Sequence, residues 1–251
     1  MGETHVWVVG DCFARFTGNE NVMTTAEVSR WVRSRTTESD ARGMVLHPAL
    51  GVDRAMWREL ARTVSRAGLE QVVLPQGAPP EPVGRHTVLK QQQDNVLVGD
   101  PHVSGNEVTG ALLVPNDTEM LRDHTADQQH IPGMLLIEAV TQLITWAVGE
   151  TVPPTADGTP RYAVMHRLRT EFHRFVFPLP VVLRARLTRD GEATDERVPL
   201  TAQVDIEQAE RVTTACEIAL NAFDPDAVFT VEAGQASKTV LRTAPVPGEA
   251  A

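Results

Sequence analysis

Asp123-His-Thr-Ala-Asp-Gln-Gln-His130-Ile-Pro-Gly-Met-Leu-Leu-Ile-Glu138-Ala-Val-Thr-Gln142 is the stretch on which the reading of this chain turns. A polar loop carrying two histidines runs into Pro132-Gly133, and an apolar run follows. Proline suits the first turn of a helix, because the N–H it lacks would have no intrahelical partner there. Residues 134–148 are almost continuously apolar, which predicts a helix over 132–148 buried on most sides. One carboxylate, Glu138, interrupts that run. A carboxylate so placed is costly unless it is paired, protonated or used in chemistry, so Glu138 is the first candidate for function. Gln142, one turn on at i+4, is spaced to orient it.

Outward from this helix the chain changes character at 76–82, a segment rich in Pro and Gly. Before it, 5–9, 44–47 and 71–74 read as strands, and 25–35 and 53–67 carry helical spacing. Strand–helix–strand–helix–strand implies a small parallel α/β domain over 1–78, followed by a linker at 79–84. After it, 95–99 and 108–114 form strands around a Gly105-Asn106 turn, and beyond the helix come four long strand candidates at 162–176, 181–189, 198–207 and 212–223. Asp190-Gly191 and 208–211 supply turns between them. One long helix with several antiparallel strands is an α+β arrangement over 85–223, the helix lying across a curved sheet. Residues 224–251 carry Pro, Gly, Ala and Ser and read as a loose tail.

A formal charge of −10 over 251 residues argues against nucleic acid or an anionic membrane as the main partner. A local basic stretch remains, with Arg161, Arg167, Arg169, Arg174, Arg184 and Arg186, suited to a phosphopantetheine or an acidic carrier protein. Cys12 and Cys216 are isolated in sequence and read as reduced thiols; without ligand spacing they predict no metal site. The N-terminus lacks a basic region followed by a long apolar one, and no apolar run is long enough for a membrane span, so a cytoplasmic location is expected. The single Gly10 after the first strand falls far short of a dinucleotide fingerprint. The N-terminal unit is therefore expected to be an accessory, a carrier-docking module or part of a dimer surface.

The Pro-Gly-Met-Leu-Leu-Ile-Glu-Ala run resembles the central helix of hotdog-fold enzymes that act on acyl thioesters. Together with the upstream Asp123-His124 and the later Phe172-His-Arg-Phe-Val-Phe-Pro178, it is similar to the A-factor biosynthesis (AfsA-type) hotdog family. The same helix also resembles that of the β-hydroxyacyl-carrier-protein dehydratases, which carry a His eight residues before the Pro and a Glu six residues after it. His124 and Glu138 stand at those distances from Pro132. Where those dehydratases continue with Phe-Pro-Gly after the His, this chain has Thr125-Ala-Asp. The resemblance spans about 85–223 and leaves the α/β unit unexplained.

Dehydration of a β-hydroxyacyl thioester needs a base for the α-proton and an acid for the departing hydroxyl, roles a His and a carboxylic acid can fill. On this reading His124 is the base, with His130 as the fallback base or a structural cap. Glu138, buried among apolar residues, is the acid. Gly133 offers a first-turn amide to polarise the thioester carbonyl, Gln142 orients Glu138, and Arg174 meets a phosphate-bearing substrate or prosthetic arm. Asp123 and Asp127 read as loop residues. The resemblance implies no cofactor beyond the phosphopantetheine of an acyl carrier protein that carries the substrate, and a homodimer or hotdog heterodimer. The leading expectation is a β-hydroxyacyl-carrier-protein dehydratase. The alternatives are an AfsA-type acyltransferase joining a β-ketoacyl thioester to a small phosphorylated alcohol, and a non-catalytic partner of an active hotdog subunit.

Overall fold

The structure is a computed structural model that describes residues 3–34, 43–118, 121 and 129–243. At the N-terminus, β1 (Thr4–Val9), β2 (Val22–Thr24), β3 (Met44–Pro48) and β4 (Val73–Pro75) form a parallel sheet in the order β2-β1-β3-β4. Side chains alternate across a strand. Val6 and Val8 of β1 meet Val28 and Val32 of α1 (Thr25–Ser34) and Trp57, Leu60 and Val64 of α2 (Arg54–Arg66) in one apolar cluster. The Asp53 carboxylate starts α2 by accepting the Met56 N–H at 2.7 Å. The sequence shows three of these strands; β2 escapes because three residues are too few to display a period.

The second layer is an antiparallel sheet of β5 (Val98–Ser104), β6 (Glu107–Leu112), β7 (Tyr162–Phe172), β8 (Val182–Arg189), β9 (Arg197–Gln208) and β10 (Arg211–Phe223). Its order is β5-β6-β8-β9-β10-β7. The apolar helix, α3 (Gly133–Thr151), packs against both β5 and β7, the two opposite edges. A sheet whose two edges touch one helix has to curl around it, and this is the hotdog arrangement. Leu135, Leu136, Ala139, Leu143, Ile144 and Ala147 fill the interior with Leu183, Val204, Ile206 and Leu220 from the strands.

The two layers share a core. Val9, Phe13, Phe16, Ala49 and Leu50 of the α/β unit belong to the same buried cluster as α3. The seam is tight at Gly10: a Cβ there would lie 2.5 Å from the Gly51 carbonyl oxygen and 2.6 Å from Asn116 Oδ1. Gly51 has φ +83°, and its N–H donates to Val114 O at 2.9 Å, while Asn116 Oδ1 accepts the Cys12 N–H at 3.0 Å. The residues after β6 are thereby stitched to the C-terminal ends of β1 and β3.

The Pro-rich connection is equally pinned. Val83 N–H donates to Val98 O at 3.1 Å and Asp100 N–H to Glu81 O at 2.9 Å, so the connection covers the outer edge of β5. Trp57 Nε1–H donates to Gly77 O at 2.9 Å. The loose tail expected after residue 223 is corrected over most of its length: Pro225–Thr243 is a helix, α4, with only Val228 buried. Pro225 is admissible in its first turn, Asp224 Oδ1 accepts the Asp226 N–H, and the Ala content that reads as a loose tail is equally compatible with a helix.

If the Gly10 contact fixes the seam, Gly10→Ala lowers stability by about 1–3 kcal/mol through overpacking. Gly18→Ala, which meets nothing within 4 Å, serves as the control. Equal denaturant midpoints for the two variants would contradict the tight seam.

Candidate functional site

Glu138 lies on the second turn of α3, on the row Met134, Glu138, Thr141 and Thr145, which is not buried in the core; Met134 is 54% exposed. The expectation of a carboxyl group surrounded by apolar residues is corrected here. The Glu138 side chain is 26% exposed and forms an ion pair with Lys90, Nζ to Oε1 at 2.5 Å. The reason is topological: Lys90 comes from the segment leading into β5, distant in sequence but packed along the helix.

Gln142 is 1% exposed and works as a clamp. Its Oε1 accepts the Leu97 N–H at 2.8 Å, and its Nε2 donates to Asn95 O at 2.8 Å and to Glu138 Oε1 at 2.9 Å. Both amide hydrogens are used, one on the backbone and one on the carboxylate. The same glutamine therefore ties the lead into β5 to α3 and fixes the rotamer of Glu138. Lys90 is aimed by a bend: Leu89, 54% exposed, sits in the left-handed region at φ 58°, where a leucine is disfavoured. The Lys90 N–H closes this bend on Arg85 O at 2.8 Å.

Glu138 and Lys90 face a cleft of about 1270 Å³. Its walls are 92–97 before β5, 111–118 from the end of β6 onward, 48–55 of the α/β unit and 79–82 of the connection. The volume exceeds the roughly 300–1,000 Å³ usual for small-molecule pockets and accommodates two reactants together.

The other sequence candidates fall elsewhere. His124, with Asp123 and Asp127, lies outside the described residues. His130 is half-buried with its ring 4.8 Å from that of Phe175. Gly133 sits beneath Phe172, whose Cζ would be 2.8 Å from an added Cβ. Arg174 is exposed and donates to Val212 O at 3.2 Å. None of these three lines the cleft. They gather at the start of α3 against 172–176, whereas Glu138, Gln142 and Lys90 gather one turn further along. Lys90 was missed by sequence reasoning, yet a signal existed: it is one of only two lysines in a chain of 23 Lys and Arg. The basic stretch is partly neutralised, since Arg169 pairs with Glu171, Arg184 with Glu207 and Arg186 with Glu107. Hydrogen bonding and charge from Arg186 hold the Glu107 carboxyl below the usual carboxylate range.

A curved antiparallel sheet around one long helix that carries an acid–amide pair defines this as a hotdog-fold protein. Residues 75–224 match the A-factor biosynthesis hotdog domain (AfsA), and the chain belongs to that family. Among solved structures it is similar to a conserved protein, PA5202, from Pseudomonas aeruginosa, at 13% identity and a TM-score of 0.40, over 55% of this chain and 98% of that one. It is also similar to thioesterase HI1161 from Haemophilus influenzae, at 13% identity and a TM-score of 0.38, over 49% and 76%. A putative thioesterase, a phenylacetic acid degradation-related protein from Ralstonia eutropha, has 14% identity and a TM-score of 0.37, over 58% and 93%. No curated protein matches the chain in sequence. No described helix is long and apolar enough to cross a membrane.

Gln142→Leu keeps approximate shape but leaves the Leu97 N–H and Asn95 carbonyl without their partner. A loss of about 1–3 kcal/mol for the buried Leu97 N–H is expected by chemical denaturation, with the part-buried Asn95 carbonyl adding less. A variant as stable as the parent would show that the clamp does not hold the helix to β5.

Proposed function

We propose that this protein is an acyl-thioester enzyme that transfers the acyl group to a hydroxyl acceptor, with Glu138 as general base. The observation that carries this reading is the Glu138 carboxylate, held by Lys90 and Gln142 on the wall of a cleft roomy enough for donor and acceptor. In acyl transfer the group at this position first takes a proton and later returns it, whereas the acid of a dehydratase begins by giving one. Glu138 removes the acceptor O–H proton as the oxygen attacks the thioester carbonyl. The C–S bond then breaks, the ester forms, and the departing thiolate receives the proton from Glu138. Lys90 and Gln142 are positioning residues that fix the carboxylate; Lys90 also balances its charge.

Dehydration is the second reading, favoured by the spacing of His124 and Glu138 about Pro132. In either reaction the thioester arrives on the phosphopantetheine arm of an acyl carrier protein. A second hotdog copy is the proposed subunit partner. Among the described residues β7 is a terminal strand of the sheet with no partner on its outer side, and Leu168, Phe172 and Phe175 on or beside it are 40%, 54% and 68% exposed, an apolar surface suited to pairing with another chain. A non-catalytic role would require that no thioester reacts.

Incubation with a β-ketoacyl pantetheine thioester and an alcohol, followed by mass spectrometry, tests the proposal. Transfer yields an ester and free thiol that need both reactants. A β-hydroxyacyl thioester that loses one water instead would support dehydration. Glu138→Gln is expected to reduce transfer by roughly 100-fold or more, the range for loss of a general base, while His130→Ala retains most of it. Full activity in Glu138→Gln would remove the carboxylate from the chemistry.

A further inference from the structure

α2 of the α/β unit carries Arg54, Arg58, Arg62 and Arg66, one every fourth residue, and all four are exposed. This row is about 18 Å long and drifts only about 40° around the helix axis from one arginine to the next. Arg54 begins it on the wall of the cleft, where its Nε donates to Pro79 O at 2.9 Å and its guanidinium pairs with Glu81 at 2.5 Å. The row therefore starts at the cleft that Glu138 faces and leads away from it along the solvent side of the helix.

Such a row is unfavourable for the helix itself. Like charges at i,i+4 repel, and a cation in the first turn opposes the helix dipole. Glu59 relieves only the far end, pairing with Arg62 at 3.3 Å and Arg66 at 3.0 Å. Among the described residues Arg58 has no carboxylate partner, although it stands between Arg54 and Arg62. The 13 residues of α2 hold four arginines against Glu59 alone, a net +3 within a chain of formal charge −10. The stretch with Arg169, Arg184 and Arg186 differs, because each of those three has its own carboxylate.

Charges strung along the outside of a helix do not converge on one point, so they suit an extended acidic surface rather than a small anion. Resting on the transfer reading above, we infer that the row Arg54, Arg58, Arg62 and Arg66 is the docking surface for an acidic carrier protein, whose acyl-pantetheine arm enters the cleft past Arg54. The α/β unit thereby acts as the carrier-docking module of the hotdog domain. Exposed charges of this kind steer the encounter and set its rate, so docking falls steeply with salt. The negative charge of the rest of the chain disfavours docking elsewhere.

The test compares two donors of one β-ketoacyl group with a common alcohol acceptor: an acidic acyl carrier protein of bacterial fatty-acid synthesis, and free acyl-pantetheine. Arg58→Glu, the double variant Arg58→Glu/Arg62→Glu and the control Arg189→Glu are made in the full chain. Arg189 is exposed at the end of β8 remote from the cleft residue Val182, about 23 Å along the strand. At low salt Arg58→Glu is expected to lower kcat/KM for the carrier-bound donor roughly tenfold through KM, and the double variant further, the loss shrinking as salt is raised. Turnover of acyl-pantetheine should stay at the parent level in every variant, which also reports that the fold is intact. Arg189→Glu should match the parent with both donors. A carrier-bound donor indifferent to the double variant, two donors slowed equally, or a control slowed as much would each overturn the inference. Fluorescence anisotropy of the labelled carrier separates this inference from the reading it rests on. Salt-sensitive binding that the double variant loses, without acyl transfer from either donor, would refute transfer and support the docking surface. A parent chain that does not bind the carrier, or a double variant that loses affinity for a DNA duplex and not for the carrier, would overturn the docking surface.

Discussion

A helix apolar on nearly every side stays out of water only if something surrounds it, and most of this structure follows from meeting that demand for α3. The sheet curls until both its edges reach the helix. The interior then has the character of a packed core in which each lost methylene is felt. Polar groups on such a helix must find partners or stay at its one open row. Gln142 is buried and satisfied by the backbone at Asn95 and Leu97. Glu138 is half-exposed and satisfied by Gln142 and Lys90. The acid that interrupts the apolar run is tolerated because the lead into β5 supplies it with an amide clamp and a counter-charge.

The same lead couples the site to the rest of the chain. Asn95 and Leu97 enter β5, β5 is bordered by the 79–84 connection, and the connection is tied to α2 through Trp57 and Arg54. On the other side, 114–116 after β6 bond to Gly51 and Cys12 of the α/β unit. The cleft lies between these two sets of tethers, so its walls are held by backbone hydrogen bonds from both layers. Ion pairs as exposed as Arg54–Glu81 contribute little to stability.

Much of the fold was legible because long elements repeat their signal. The α3 run, the alternating β8 (Val-Leu-Arg-Ala-Arg-Leu), and Asp53 ahead of α2 each announce their structure over a single stretch. What escaped was either short or long-range. β2 is three residues, and α4 is masked by a composition that suits loops as well as helices. At the site, Glu138 and Gln142 were visible because they share one helix face. Lys90 was not, since its role depends on a left-handed bend at Leu89 and on a contact between segments remote in sequence. His130 and Gly133 adjoin the helix start in sequence, yet the Phe172 and Phe175 rings gather them on a different side from the carboxylate. Adjacency in sequence did not give adjacency in the cleft.

In the proposed reaction Lys90 and Glu138 act as one unit on a bound thioester. A double-mutant cycle on acyl transfer tests it most directly, comparing the parent, Lys90→Met, Glu138→Gln and the double variant. If the lysine acts through the carboxylate, the double variant is no slower than Glu138→Gln alone, because removing Lys90 has nothing further to disturb. Losses that multiply, each variant contributing its full factor independently, would contradict the account and separate the two residues in the chemistry.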